Sequence, residues 1–154
     1  MADTFTLTGE AREVALAEAQ SVQAMIADGD KRARMNELVA AVGEGEVEGE
    51  GETARLLESV LELGLQAGRI RAYYGPGGEQ AALATLRRLP RGRLRSESTR
   101  EVTEALQTFS GQTLDSIRIA AVAPGAFTLS VQSGGVEASI RLDTSGARLV
   151  SLGT

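Results

Sequence analysis

Between Arg87 and Arg100 the chain carries six arginines, Arg87, Arg88, Arg91, Arg93, Arg95 and Arg100, against a single carboxylate, Glu97. A guanidinium is a rigid fork of donors that suits phosphate or carboxylate recognition. Arg87, Arg88, Arg91, Arg93 and Arg95 are therefore candidate anion- or partner-binding residues. Two uses stay open for them: an external acidic partner, or a solvated connector paired with the chain's own carboxylates. Nucleic acid fits less well. The stretch holds no aromatic side chain to stack on a base, and the whole chain is acidic, with a net charge of −5.

Other groups could do chemistry only if they converge. Glu58 and Glu62 are spaced i, i+4, and Glu97, Glu101 and Glu104 crowd a helix start. Surface solvation and favourable charge at a helix N-terminus account for both sets. Tyr73 and Tyr74 are adjacent, so on a helix they point about 100° apart. One can pack while the other faces solvent or a ligand, which makes the pair candidate pocket residues. Gly75-Pro76-Gly77-Gly78 could offer backbone N–H groups to an anion. No strand precedes it, however, no Gly-Lys-Ser/Thr follows, and Glu79 stands where the anion would sit, so it reads as a helix breaker. Histidine and cysteine are both absent. The commonest metal ligands, the thiol nucleophile and the usual base at neutral pH go with them. Catalysis would rest on carboxylates, hydroxyls, arginines, Lys31 or the tyrosines, and none of these converge in sequence. The expectation is no catalytic residue, no cofactor and no metal.

The elements that must position these groups are mostly helical. Thr4 to Thr8 alternates as a short strand. A helix follows from Gly9 to about Asp28 on the repeat Ala15, Ala19, Val22 and Ile26, with Gly29 as its stop. Asp30 is placed to cap a second helix through Met35, Leu38, Val39 and Val42, giving a helical hairpin over 1–43. Residues 44–52 hold five glutamates among glycines and read as a flexible acidic linker. Thr53 to about Tyr74 is one helix, apolar nearly all round, with Leu56, Leu57, Val60, Leu61 and Gly64 in a stripe. Gly64 and Gly68, four apart, let another backbone approach, within the chain or in a second copy. A further helix runs from Glu79 to Leu89 and ends at Pro90. Ser98 and Glu101 then form a capping box for a helix through Val102, Ala105, Leu106 and Phe109, closed by Gly111.

From Leu114 the periodicity changes to two. Ile117, Ile119 and Ala121 share one face of a first strand. Phe127, Leu129 and Val131 alternate with polar residues, as do Val136, Ala138, Ile140 and Leu142. A Ser133-Gly134 turn sets Val131 opposite Val136 and Phe127 opposite Ile140, with all of them on a covered face. After a turn at Asp143–Gly146, a three-residue connection would send Val150 and Leu152 inward, and a four-residue one Leu149. The former is expected.

The predicted class is α+β: N-terminal helices followed by a C-terminal four-stranded antiparallel meander, with helices packed on one face. The domain over 53–154 holds the sheet. This order of elements resembles that of cystatin-like and NTF2-like folds, a resemblance of arrangement without a shared residue motif. It implies a pocket where a curled sheet meets its helices.

Charge is uneven along the chain. Residues 1–86 hold 7 basic and 15 acidic groups, a balance of −8, and residues 87–154 hold 9 and 6, a balance of +3. The glutamates of 44–52 are thus placed to shield Arg91, Arg93 and Arg95. The chain opens on a polar, acidic Met1-Ala2-Asp3-Thr4, and no run approaches a membrane span, so a cytoplasmic setting is expected. The functional expectation is a non-catalytic protein-interaction or adaptor protein, self-associating, with no membrane partner. A small-molecule pocket protein, with or without enzymatic activity, is the alternative, and a nucleic-acid binder through Arg87–Arg100 comes third.

Overall fold

The computed structural model describes residues 3–27 and 29–154. Among them are β1 (Thr4–Thr6), α1 (Gly9–Met25), α2 (Asp30–Glu44), β2 (Glu46–Glu48), α3 (Glu52–Gln66), α4 (Arg69–Leu86), α5 (Pro90–Gln107), β3 (Ser116–Ala123), β4 (Ala126–Ser133), β5 (Val136–Asp143) and β6 (Gly146–Gly153). The class is α+β. Two compact units divide between Arg93 and Leu94, inside α5 and not at residues 44–52. Asp28, where the first helix was expected to end, lies outside the described residues; α1 stops at Met25.

The first unit is a helical core with a small ribbon. Val14, Ala15 and Ala19 of α1 bury against Met35, Leu38 and Val42 of α2 and against Leu57, Val60 and Leu61 of α3. The alanines let the helices approach closely, so the hairpin is part of the core and not a tethered module. Asp30 is the first residue of α2, behind Gly29, and makes no side-chain cap.

The Gly/Glu segment is also ordered. β2 pairs antiparallel with β1, setting Val47 opposite Phe5 with both buried, while Glu46 and Glu48 face outward. The expectation of a spacer missed that one valine among glutamates suffices when its partner strand lies some forty residues earlier. Leu7 N–H donates to the Gly45 carbonyl and Gly49 N–H to that of Asp3, which extends the pairing at both ends.

The long apolar helix expected over Thr53–Tyr74 is two helices. The chain leaves α3 through Gly68 in the left-handed region, φ 71°, and re-enters as α4. A bulkier residue would be strained there. Gly64 and Gly68 therefore share no helix face. Gly64 instead makes room for α1, because a Cβ on it would lie 2.6 Å from Glu18 Oε2. Gly75, at φ 70° and ψ −169°, breaks α4 internally, and Pro76 restarts it, as the breaker reading expected.

Pro90 opens α5 instead of merely ending its predecessor, and Ser98 and Glu101 lie within that helix. Pro at a first helical turn sacrifices no hydrogen bond. The capping-box pattern lost to a stronger start eight residues earlier, whose acceptor comes from another helix.

The second unit is the meander, in the order β3-β4-β5-β6, with the second half of α5 on one face. Leu106 and Phe109 pack against Leu129, Val131, Val136 and Ala138. The β4–β5 turn is Gly134-Gly135, with φ of 56° and 84°, and Ser133 pairs with Val136. The register therefore differs by two residues from the one expected. Phe127 meets Leu142 and Leu129 meets Ile140, and the same side chains stay on the same face. Two consecutive positive-φ positions match the twist of a tight hairpin, which serine at the first position does not. In β6, Asp143 pairs with Gly146 across Thr144-Ser145, and a bulge at Val150 puts Leu149 opposite Ile140 and Leu152 opposite Ala138. The bulge defeats both simple turn counts, and Val150 is exposed.

Asp143 fixes that last turn. Its Oδ1 accepts from the Ser145 hydroxyl at 2.5 Å and from Ser145 N–H at 2.9 Å, and Arg141 Nε lies 3.4 Å from Oδ2. These donors, Ser145 foremost, hold the carboxyl below its ordinary pKa. A depressed folded-state pKa gives stability that is full above the unfolded value and lost as pH falls through the folded one. NMR titration of the Asp143 carboxyl should accordingly give a midpoint below 3.8. Asp143→Asn should remove this contribution to the acid limb of stability. A midpoint at or above 3.8 would contradict the turn as described.

Candidate functional site

The arginine stretch is built into the first unit. Glu58 of α3 is fully buried; its Oε1 accepts Gly92 N–H at 2.8 Å and its Oε2 accepts Arg91 Nε at 3.0 Å. The carboxylate thereby satisfies the exposed N–H end of α5 and sits where the helix dipole favours negative charge. Arg91 also donates to Ser59 Oγ at 3.0 Å and reaches Glu62 at 3.4 Å. Arg93 pairs with Asp3 at 3.2 Å and lies 4.0 Å from Glu50, so one glutamate of the acidic segment does meet the basic stretch. Arg88 stacks over the Phe5 ring, 4.3 Å from its centre, and Arg87 is exposed. Arg95 is half-buried in the second unit, beside Gly146. Arg91 ties the start of α5 to α3, and Arg88 and Arg93 reach the small ribbon and its flanks. Of the two uses left open by sequence, internal pairing describes Arg91 and Arg93.

Glu18 shows the same device. It is buried on α1, and its Oε2 accepts both Nε and Nη2 of Arg69, at 3.2 and 2.6 Å. That hydrogen-bonded charge raises the pKa of the guanidinium. Neither Glu18 nor Glu58 was legible as a buried acid, because each sits among apolar residues at ordinary helix-surface spacing. Their partners lie 51 and 33 residues away in sequence.

Tyr73 is 79% exposed, and Tyr74 packs against the helical core. The two diverge as adjacent helical residues should. Among the described residues no three His, Cys, Asp or Glu side chains form a group that could hold a metal ion. None of their helices is long and apolar enough to cross a membrane.

The surface that stands out is on the sheet. α5 packs on β4 and β5, whereas every residue of β3 is exposed. Ile117 is 63% exposed, Ile119 59% and Phe127 41%, all on the face expected to be covered. Between the end of α5 and β3 runs a groove of about 500 Å³, lined by Leu106, Phe109, Leu114, Ile117 and Val131 with polar residues at its mouth. β3 is also an edge strand, with β4 on one side only. Comparison with family models, with curated proteins and with solved structures finds no match to this chain. What the site can do therefore rests on its chemistry. An open edge supplies backbone donors and acceptors, and the neighbouring apolar side chains supply area that water leaves readily.

The sequence carried a trace of this site in Ile117, Ile119 and Ala121. It did not reveal that one helix would cover only part of a four-stranded face.

Proposed function

We propose that this protein is a non-catalytic interaction protein that self-associates through β3, in the cytoplasmic setting read from its sequence. The observation that carries the reading is an eight-residue edge strand, exposed throughout, whose face shows Ile117 and Ile119 beside Phe127. Exposed apolar patches at unprotected strand edges are the usual substrate of strand addition.

A second copy suits the edge because the strand is complementary to itself. Antiparallel pairing about a two-fold axis at Ile119 keeps the isoleucines on one face and sets Ile117 opposite the partner's Ala121. Arg118, the one charge on the strand, then meets the partner's Ala120 and not another arginine. The neighbouring register, centred on Arg118, would oppose like charges and is disfavoured. The helical hairpin, the docking module expected from sequence, is instead occupied with its own core.

The test is sedimentation of the wild type and of Ile119→Lys. The wild type should gain mass with concentration through the micromolar range, while the lysine variant, placed on an exposed position, should fold normally and stay monomeric. A strictly monomeric wild type, or a variant that associates equally, would overturn the reading.

A further inference from the structure

The first unit holds a second recess, independent of β3. Its floor is apolar and drawn from three helical elements: Val22 and Ile26 from α1 and the residue after it, Met35 from α2, and Leu56 from α3. Its volume is about 420 Å³, within the range of small-molecule sites. Arg32 Nη1 donates to the Ile26 carbonyl at 2.6 Å, beside the recess.

The mouth is cationic in a stretch of sequence that is acidic as a whole. Residues 1–86 carry a balance of −8, yet Lys31, Arg34 and Arg55 line this recess against the single carboxylate Glu52. Glu52 pairs with Arg34 at 2.6 Å. Lys31 and Arg55 have no carboxylate partner among the described residues. Two uncommitted cations over an apolar floor match a molecule with an aliphatic body and an anionic head. We infer that this recess binds a free medium-chain carboxylate, with the chain among Val22, Ile26, Met35 and Leu56 and the head between Lys31 and Arg55. The alternative is that the cationic stems merely cover apolar surface.

Calorimetry on the full chain with decanoate, below its micellar concentration, and with decanol separates the two. Decanoate should bind at least about tenfold more tightly than decanol. Lys31→Ala combined with Arg55→Ala should remove that preference while leaving decanol binding and the melting temperature unchanged. Equal binding of acid and alcohol, undetectable decanoate binding, or a double variant that keeps the preference would each overturn the inference. Ile119→Lys should leave decanoate binding intact, so the outcome is separable from that for β3.

Discussion

Gly92→Ala is expected to cost ~4 kcal/mol or more, enough to unfold a protein of ordinary stability. The chain turns from α4 into α5 so tightly that a methyl group on Gly92 would sit inside the Leu86 carbonyl, with the Arg87 backbone close behind. Backbone cannot swing away as a side-chain tip can. Any shift of Gly92 also pulls its N–H off Glu58. The contrast is Gly43, inside α2, where a Cβ would meet nothing within 4 Å. Gly43→Ala should therefore be neutral or stabilise by ~0.5–1 kcal/mol, the usual helical gain over glycine. Thermal melts of the two variants decide the matter. Equal stabilities would mean that the α4–α5 turn is not as tight as described.

Glu58→Ala should lose ~3 kcal/mol. Two effects add: a buried N–H at Gly92 is left without an acceptor, and the side chain's volume is vacated in a packed site. Arg91 contributes less, because its side chain is 47% exposed and can rehydrate when its partner goes. The conservative variants separate the terms. Glu58→Gln keeps an acceptor for Gly92 and should lose only ~1 kcal/mol, whereas Glu58→Met keeps the volume but not the acceptor and should lose ~2 kcal/mol. A methionine variant as stable as wild type would show that α5 does not depend on this carboxylate at its N-terminus.

Much of this fold was legible because its signals are local. The change from helical to alternating periodicity at Leu114 located the sheet, and the parity of apolar positions fixed which side chains share a face even though the hairpin register moved by two residues. Parity survives an even shift. Failures came where a distant residue decided a local question. Val47 forms a strand because Phe5 is opposite, Pro90 starts a helix because Glu58 supplies the acceptor, and Gly68 splits a continuous apolar stripe into two helices that both pack on α1. The candidate site divided along the same line. The arginines could be counted from sequence, but their partners at Asp3, Glu58 and Glu62 could not be assigned. The exposure of Ile117 and Ile119 depends on how far one helix reaches across a sheet.

Self-association through β3 is tested most directly by disulfide trapping, since the chain has no cysteine of its own. In the proposed register position 119 faces its own copy across the two-fold axis, at a separation a disulfide can span, whereas position 118 faces position 120. Under mild oxidation Ile119→Cys should convert to a covalent dimer well ahead of Arg118→Cys, with the difference abolished in denaturant. Equal and slow trapping at the two positions would contradict the account.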